Sequence, residues 1–355
     1  MPTIRQLAEL AGVSHSTVSR ALRDDPRISP ATRQRIHALA AECHFRPNRL
    51  AQSVLTGKSS LLGMLITDVG IDFESHILRG VLDVAYSHGY RIIVEETAFD
   101  MPRARQAIHT LLEQRVEGLL LLSIHRTPLP RSTLLEMRSH DVPFVCLDFT
   151  AMDGNTAWVG TDEAQLGEIA VQHLFDLGHR VMAYVGPPMG AYRGERASAI
   201  YAALRRRHLP TSTLRDWEAE SAWDFAADRA LASLLDQREP PTAIICWEDR
   251  VAARIIRAAR ERELAVPGDL SVIGCSNCAI AEFLLPAITT IEQYPADIGR
   301  VACRHILNAL NAAANARIAV PAMTPITPSL VIRESCAPPR WGYPPSGGFP
   351  PAPAR

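Results

Sequence analysis

The chain has 355 residues, of which 47% are hydrophobic and 21% are charged, and its formal net charge is −1. This composition excludes intrinsic disorder for most of the chain and predicts two or three globular domains. No stretch approaches the roughly 18 unbroken apolar residues of a membrane helix, and no apolar signal core follows Met1, so we expect a cytoplasmic protein with no membrane partner. Seven cysteines, an odd number, argue against a disulfide framework.

The near-zero net charge hides an uneven distribution along the chain. Residues 1–58 contain nine Arg or Lys side chains against four Asp or Glu, which leaves the remainder with a net charge of −6. A small basic region on an acidic body predicts a polyanionic partner for the basic region only.

The first forty-five residues predict three short helices. The first begins after Thr3 and ends at Gly12, with its apolar side chains spaced to share one face. Ser14 then caps a second helix over residues 15–22, and Ser29 caps a third. So short a turn between the first two helices is the spacing of a helix-turn-helix.

A helix-turn-helix reads DNA with side chains at the start of its second helix. The outward positions of that helix hold His15, Ser16 and Arg20, and the Arg20 guanidinium can donate two hydrogen bonds to one guanine. The hydroxyl groups suited to phosphate contacts belong to Ser14, Thr17 and Ser19. The alternative is a plain helical hairpin with solvated polar side chains.

The rest of the chain divides into three parts by pattern. Residues 49–55 predict one more short helix, which ends at Thr56-Gly57. From residue 61 to about 331, short apolar runs alternate with amphipathic helices, which predicts parallel sheets with helices on both faces. Residues 336–355 are dense in Pro and Gly, and we expect them to form a disordered tail.

Motifs of common enzyme classes are missing from the sequence. There is no G-x-S-x-G nucleophile motif, no H-E-x-x-H zinc helix, and no G-x-G-x-x-G after the first apolar run. Cys275 and Cys278 form a C-x-x-C motif, but no second cysteine pair or histidines at ligand spacing accompany it. We therefore predict no enzyme activity, no cofactor and no metal, and leave open an effect of thiol oxidation on ligand binding.

Several motifs in the same order resemble the lactose/galactose repressor (LacI/GalR) family of bacterial transcription regulators. The longest is AGVSHSTVSRAL at 11–22, and others are RPNRLA at 46–51, LGHR at 177–180, VPGDLSVIG at 266–274 and LPAITTI at 285–291. The resemblance extends to about residue 335. It implies a small all-α helix-turn-helix headpiece and an α/β periplasmic-binding-protein-like body made of two doubly wound parallel-sheet subdomains.

The resemblance also implies a domain plan. The expected parts are a DNA-binding helix-turn-helix domain at 1–46, a hinge helix and linker at 47–60, an effector-binding and dimerisation domain at 61–335, and the tail at 336–355. Within the large domain, we expect one subdomain at about 61–158 plus 292–320 and the other at about 159–291 plus 321–335.

For DNA binding, the resemblance places His15 and Ser16 at the positions that select the operator sequence and Arg20 at a nearly invariant position. It matches residues 48–55 to a hinge helix that folds on the operator and inserts an apolar side chain into the minor groove. The implied contact residues of this segment are Asn48, Arg49, Ala51 and either Val54 or Leu55. The resemblance does not decide which of these two side chains is inserted, because the family usually has leucine where this chain has Val54.

For the effector, the resemblance points to the cleft between the two subdomains. Residues at family effector positions that suit a sugar are Phe73, Asp148, Arg196 and Trp223, although ordinary core packing remains the alternative for the two aromatic side chains. Two positions depart from the family pattern, where Glu248-Asp249 replaces Asn-Asp and Cys275-Ser276 stands where an aspartate is usual. These departures add Glu248, Asp249 and Ser276 to the expected effector residues.

We therefore predict a sequence-specific transcriptional repressor that binds a palindromic operator on double-stranded DNA as a homodimer. A small molecule, a sugar or sugar derivative, is expected to control it allosterically, and the protein to work at the bacterial nucleoid. Two alternatives are a soluble sugar-binding or sugar-modifying protein with an incidental basic head, and a DNA-organising protein without a ligand.

Overall fold

The computed structural model describes residues 3–45, 58–122, 131–148, 156–186, 194–213, 226–312 and 323–340. The predicted site residues that lie outside these ranges are Asn48, Arg49, Ala51, Val54, Leu55 and Trp223. The chain divides into two compact units, Met1–Ser60 and Leu61–Arg355, and each is described by itself.

The first unit contains three helices, α1 (Ile4–Ala11), α2 (His15–Ala21) and α3 (Pro30–Glu42). Each begins at the predicted capping residue, because the side chains of Thr3, Ser14 and Ser29 accept hydrogen bonds from backbone N–H groups in the first turn. Gly12 ends α1 in the left-handed conformation that favours glycine. The helices share a small core whose fully buried members include Leu7, Val18 and Ile36.

The second unit contains two sheets, and the larger has six parallel strands in the order β11-β5-β4-β3-β1-β2. Its strands are β1 (Leu61–Ile66), β2 (Arg91–Glu96), β3 (Gly118–Leu122), β4 (Phe144–Leu147), β5 (Ala157–Thr161) and β11 (Met323–Ile326). Its helices are α4 (Asp72–Ser87), α5 (Met101–Glu113), α6 (Arg131–Ser139) and α12 (Pro295–Asn311). Side chains of α4 and α12 build one core cluster with the sheet and those of α5 and α6 build another. We call this assembly the first lobe.

The smaller sheet has four parallel strands in the order β7-β6-β8-β9. Its strands are β6 (Met182–Val185), β7 (Thr211–Thr213), β8 (Ala243–Cys246) and β9 (Ser271–Ile273). The helices α7 (Glu163–Asp176) and α8 (Glu195–Arg206) share one core cluster, and α9 (Ala227–Leu235), α10 (Asp249–Glu261) and α11 (Ala279–Phe283) share the other. We call this assembly the second lobe, and a two-stranded antiparallel sheet of β10 (Thr290–Glu292) and β12 (Ser329–Val331) completes the unit.

The observed lobes differ from the predicted subdomains at two points. The predicted boundary after residue 158 would split β5, but the whole of β5 belongs to the first lobe, where it pairs with β4. β11 also joins the first lobe, with Met323 opposite Trp158, whereas residues 321–335 were expected in the second. Pro325 weakens the strand pattern at 323–326, and proline is tolerated there because β11 lies at the sheet edge.

The prediction of a disordered tail from residue 336 is wrong for residues 336–340. The Ala337 carbonyl accepts hydrogen bonds from Ser271 Oγ at 3.1 Å and lies 3.0 Å from His179 Nε2. The Val272 amide donates to the Ser335 carbonyl at 2.8 Å. The segment thus satisfies its backbone groups against β9, which its Pro-rich composition did not reveal.

All seven cysteines are free thiols. Across the part of the chain that the structure describes, no helix is long and apolar enough to cross a membrane. Within the same ranges, no group of three or more His, Cys, Asp or Glu side chains could hold a metal ion.

Candidate functional site

The first candidate site is the start of α2. Ser14 Oγ accepts a hydrogen bond from the Thr17 amide at 3.1 Å, and it lies 2.8 Å from the hydroxyl oxygens of both Ser16 and Thr17. This cluster fixes the first turn, because the cap satisfies a backbone donor that has no partner within the helix. Val18 and Ala21 are buried against α1 and α3, which turns the opposite face of α2 outward.

The outward face carries the predicted DNA-reading residues. His15, Ser16 and Arg20 are exposed, while Thr17 and Ser19 are half-buried. The guanidinium of Arg20 makes no hydrogen bond or ion pair to the described residues 3–45. It can therefore turn toward a partner without breaking an internal contact.

Other arginines of this unit are engaged within it. Arg27 pairs with Asp25, with Nη2 and Oδ2 2.7 Å apart. Arg35 Nη2 donates to the Ala11 carbonyl at 2.6 Å, where α1 ends. Arg23 Nε donates to the Ser19 carbonyl at 3.0 Å. These three arginines make contacts within the unit as well as contributing positive charge, whereas Arg20 makes no such contact to residues 3–45.

The second candidate site lies in the larger unit, at the carboxyl ends of the parallel strands, where ligands bind in open α/β sheets. Phe73 follows β1 on the first turn of α4 and packs, half-buried, against the first-lobe core. Asp148 directly follows β4, has a left-handed backbone (φ 56°), and its amide donates to the Val159 carbonyl at 2.9 Å. A left-handed aspartate is an uncommon conformation that clusters at functional sites.

Arg196 lies on the first turn of α8 and is buried against Glu163 of α7. Its Nε donates to Glu163 Oε2 at 2.9 Å and its Nη2 to Oε1 at 2.7 Å, which is a two-point ion pair. Nη1 donates to the Trp247 carbonyl at 2.5 Å, directly after β8. Arg196 therefore ties α7, α8 and the end of β8 together, and its orientation is set before any ligand arrives.

The Tyr184 side chain lies beside this ion pair at the end of β6. Its hydroxyl is fully buried and has no hydrogen-bond partner among the residues that the structure describes. Burial raises its pKa well above the usual range of tyrosine, so it stays protonated and remains a donor. A buried donor without an acceptor is rare in folded proteins.

Asp249, the first residue of α10, is fully buried. Its Oδ1 accepts a hydrogen bond from Thr290 Oγ1 at 2.5 Å and its Oδ2 accepts one from the Cys278 amide at 2.9 Å. Burial raises its pKa to about 6, and these two hydrogen bonds limit the rise. Both oxygens are thus occupied by the protein, whereas the neighbouring Glu248 is half-buried.

The loop after β9 carries Ser276 and the C-x-x-C motif. Ser276 (φ 101°) and Asn277 (φ 48°) both have left-handed backbones. Ser276 Oγ donates to Gln293 Oε1 at 3.2 Å, and Cys275 Sγ donates to the same oxygen at 3.3 Å. Burial raises the pKa of Cys275 and of Cys278 well above the usual range, which is the opposite of a reactive thiol.

Three residues near these positions were not predicted from the sequence: Glu163, Trp247 and Gln293. Gln293 Nε2 donates to Thr161 Oγ1 at 2.8 Å, so this buried amide joins the end of β5 to the loop after β9. Glu163 and Trp247 each follow a strand, and position after a strand was the available signal. Their partners are distant in sequence, so no local motif marks them.

The comparisons with known proteins cover both units. A family described as "Bacterial regulatory proteins, lacI family" matches residues 3–48, and a "Periplasmic binding protein-like domain" matches residues 171–336. The two matches fall on the three-helix unit and on the lobes.

Whole-chain relatives agree with this. The chain is 32% identical over 307 residues to the ribose operon repressor of Escherichia coli K12, covering 85% of this chain and 91% of that protein. It is 28% identical over 311 residues to catabolite control protein A of Priestia megaterium, covering 87% and 92%. A crystal structure of the lac repressor dimer bound to operator and the anti-inducer ONPF superposes with a TM-score of 0.81 at 25% identity, covering 95% of this chain and 99% of that one.

Proposed function

Because the chain belongs to the lacI family of bacterial regulatory proteins, we propose that α2 reads an operator sequence and that a sugar-like molecule bound between the lobes controls this reading. The chain is a DNA-binding transcriptional regulator of the repressor type, with a helix-turn-helix and a periplasmic-binding-protein-like body. The observation that carries the proposal is the exposed face of α2, where Arg20 has no hydrogen-bond or ion-pair partner among residues 3–45, unlike Arg23, Arg27 and Arg35.

Contacts to base edges specify a DNA sequence, whereas contacts to phosphates position the protein. We assign base reading to His15, Ser16 and Arg20, because they are exposed on the outward face of α2. The hydroxyl groups of Ser14, Thr17 and Ser19 are assigned to phosphate contacts. They lie on the first turns of the same helix, where backbone N–H groups also favour anions.

We assign residues 1–46 to DNA binding and residues 47–60 to a hinge. In the hinge, Asn48, Arg49 and Ala51 are proposed DNA contacts, and Val54 or Leu55 the wedge between base pairs. Inserting an apolar side chain there costs base stacking and is offset by the wider contact with bent DNA.

The effector site is assigned to the carboxyl ends of the strands in both lobes. Arg196 and Asp148 supply polar groups for hydroxyls, Glu248 and Ser276 flank them from the second lobe, and Phe73 and Trp223 are assigned to the apolar face of a sugar ring. We place Asp249 behind this surface, because its two oxygens are occupied by Thr290 and Cys278. The ribose operon repressor among the relatives makes D-ribose the first ligand to test.

The active form is proposed to be a homodimer, as the lac repressor is in its operator complex. Exposed apolar side chains occur on both lobes, and we propose that they form two patches that a second copy removes from water. Leu82, Tyr86 and Val94 make the patch on α4 and β2, and Ile280, Phe283 and Leu285 make the patch on and after α11. In a dimer, each of the two three-helix units contacts one half of a palindromic site, because the two-fold symmetry of the dimer matches that of the DNA.

We further propose that the protein has no enzyme activity and works in the cytoplasm, where chromosomal DNA is found. The ribose operon repressor of Escherichia coli K12, which is 32% identical to this chain over 307 residues, supports this proposal. The alternative of a sugar-binding protein with an incidental head predicts sugar binding that is independent of DNA.

Selection of genomic DNA tests the proposed function. Full-length protein and a chain of residues 61–355 are each incubated with genomic fragments at about 100 mM salt and excess nonspecific competitor, because phosphate contacts alone give binding that falls steeply with salt. We expect only the full-length protein to enrich a short palindrome. Equal enrichment by both chains would contradict the assignment of DNA reading to the first unit.

A further inference from the structure

A side chain of the second lobe reaches across to the first. Arg250, on the first turn of α10, donates from Nη2 to the Gly70 carbonyl at 3.1 Å. The same nitrogen lies 3.4 Å from Asp72 Oδ2. Gly70 lies in the turn that links β1 to α4, and Asp72 is the first residue of α4, so one guanidinium contacts the first lobe at two points.

The turn that receives Arg250 is held rigidly by the first lobe. The buried Glu74 carboxylate accepts hydrogen bonds from the amides of Thr67 at 2.8 Å and Asp68 at 3.2 Å, and from the Thr67 hydroxyl. The Gly70 amide donates to Asp68 Oδ1 at 2.7 Å. The Gly70 carbonyl is therefore fixed in place, and the guanidinium meets a prearranged acceptor.

The start of α10 is anchored equally firmly in the second lobe. Asp249 precedes Arg250 and is fully buried, with hydrogen bonds from Thr290 and from the Cys278 amide. A shift of Arg250 relative to its own lobe would break these bonds. Movement between the lobes therefore changes the contact of Arg250 with Gly70 and Asp72.

This contact lies beside the proposed effector residues. Phe73 directly follows Asp72 in the first lobe, and Glu248 lies two residues before Arg250 in the second. Holding Arg250 against the turn thus sets how far apart these two candidate residues stand. A guanidinium suits this role because its planar donors fix direction as well as charge.

We propose that Arg250 is a positioning residue that latches the two lobes together across the cleft before any effector binds. The latch goes beyond the proposed function, and it rests on that function only in placing the effector between the lobes. An effector that prefers the latched arrangement meets a cleft already shaped for it, whereas one that prefers the parted arrangement has to break the latch.

The chain carries its own reporter of lobe separation, the Cys278 thiol. Cys278 is buried at the N-terminal end of α11, and its amide is bonded to Asp249. Burial raises the pKa of this thiol, the charges of Asp249 and Asp72 raise it further, and the charge of Arg250 lowers it. The Cys278 amide is bonded to Asp249, the neighbour of Arg250 in the chain, and we expect the thiol to become more accessible when the two members of the latch part.

Pulse labelling with N-ethylmaleimide, read cysteine by cysteine by peptide mass spectrometry, tests the latch in the full-length protein. For Arg250→Gln we expect Cys278 to be labelled about fivefold faster, the upper end for a partly exposed ion pair. Loss of the Arg250 charge alone would raise the thiol pKa and slow the reaction, so faster labelling reports exposure. Asp72→Asn should also expose Cys278, from the other lobe. Because this variant removes a charge that raises the thiol pKa, its labelling rate is measured at several pH values, which separates the change in exposure from the change in pKa.

Matched controls separate latch loss from unfolding. Arg257→Gln, on the same helix and paired with Glu261, should label like the wild type. Arg250→Lys keeps the charge and should restore most of the protection of Cys278. The core thiols of Cys146 and Cys246, buried in the first and second lobes, report global unfolding and should stay unlabelled.

Equal labelling of Cys278 in Arg250→Gln and Arg257→Gln would overturn the latch. If Arg250→Gln also exposes Cys246, that variant has unfolded and the test passes to Asp72→Asn. Unchanged labelling of Cys278 in Asp72→Asn would then overturn the latch. The labelling needs neither DNA nor effector. The labelling test can therefore overturn the latch while DNA selection still yields a palindrome. The labelling test can equally support the latch while DNA selection yields no palindrome.

Discussion

Arg196 and Glu163 form a two-point ion pair between α8 and α7, with N–O distances of 2.9 and 2.7 Å. The Arg196 side chain is 7% exposed and that of Glu163 is 24% exposed, so the pair is largely removed from water. The pair orients the arginine that the family resemblance assigns to the effector. Its geometry therefore links the stability of the second lobe to ligand recognition.

Glu163→Gln should lower the free energy of unfolding by about 2 to 3 kcal/mol, somewhat less than the loss of one partner from a fully buried pair. The cause is the Arg196 charge, which would remain buried with its carboxylate partner gone. Urea unfolding at pH 7 measures the change.

Glu168→Gln is the matched control, since Glu168 lies on the same helix and pairs with Arg206 and Arg207 at a more exposed position. It should cost about 1 kcal/mol or less, as surface ion pairs do. Equal losses for both variants would mean that the buried pair has no special weight.

Arg20→Ala should weaken binding to the selected palindrome by about 1 to 3 kcal/mol, the usual cost of losing an arginine contact to a base. Fluorescence anisotropy with a labelled duplex at fixed salt measures it. Arg27→Ala is the comparison, because Arg27 is already paired with Asp25, and a smaller effect is expected. Unchanged affinity of Arg20→Ala would remove Arg20 from the DNA contacts.

His179 should make the fold sensitive to acid. The histidine is buried, with ring nitrogens 2.8 Å from Thr242 Oγ1 and 3.0 Å from Ser271 Oγ, and burial lowers its pKa from 6.5 to about 4. The unfolded chain therefore binds a proton more readily between pH 6.5 and 4, and stability falls as the pH falls through this window. From pH 7 to pH 5 this group should remove about 2 kcal/mol.

His179→Gln isolates this contribution. Asp249 acts in the opposite direction, because its pKa is raised to about 6, and its effect destabilises the fold as the pH rises from about 4 to 6. The measurement is therefore the difference in unfolding free energy between wild type and variant at pH 5 and pH 7. A difference that does not change with pH would refute the assignment to His179.

Phe283→Arg should convert the dimer into monomers at low micromolar concentration, because it places a charge in the proposed apolar interface. Sedimentation equilibrium gives the mass, and circular dichroism checks that the fold persists. Ile332→Arg is the control, as Ile332 is an exposed apolar side chain outside both proposed patches. A wild-type mass of four chains would contradict the dimer itself.

Local signals in the sequence predicted the local features of the fold. The caps at Thr3, Ser14 and Ser29 form as expected, and the alternation of apolar runs with amphipathic helices from residue 61 onward corresponds to parallel sheets with helices, as predicted. Capping and apolar runs depend on neighbours in the chain, so the sequence contains the relevant information.

Features that depend on distant partners were not predictable in the same way. β11 was missed because its pairing with β5 compensates for a weak pattern around Pro325. The latch joins Arg250 to Gly70, 180 positions apart, and neither residue carries a local mark of that role. The family resemblance named Arg196 and Asp249, but only the tertiary structure reveals that Asp249 is enclosed by Thr290 and Cys278.

In the proposed mechanism, the cleft between the lobes is coupled to the three-helix unit, so that a ligand bound in the cleft changes the affinity of the three-helix unit for DNA. The direct measurement is the dissociation constant of full-length protein for its selected palindrome at about 100 mM salt, with and without D-ribose and a panel of other sugars and sugar phosphates. The account predicts that one of them changes operator affinity about 5- to 150-fold in either direction, corresponding to a coupling of about 1–3 kcal/mol. A sugar that binds the protein tightly while leaving operator affinity unchanged would contradict it.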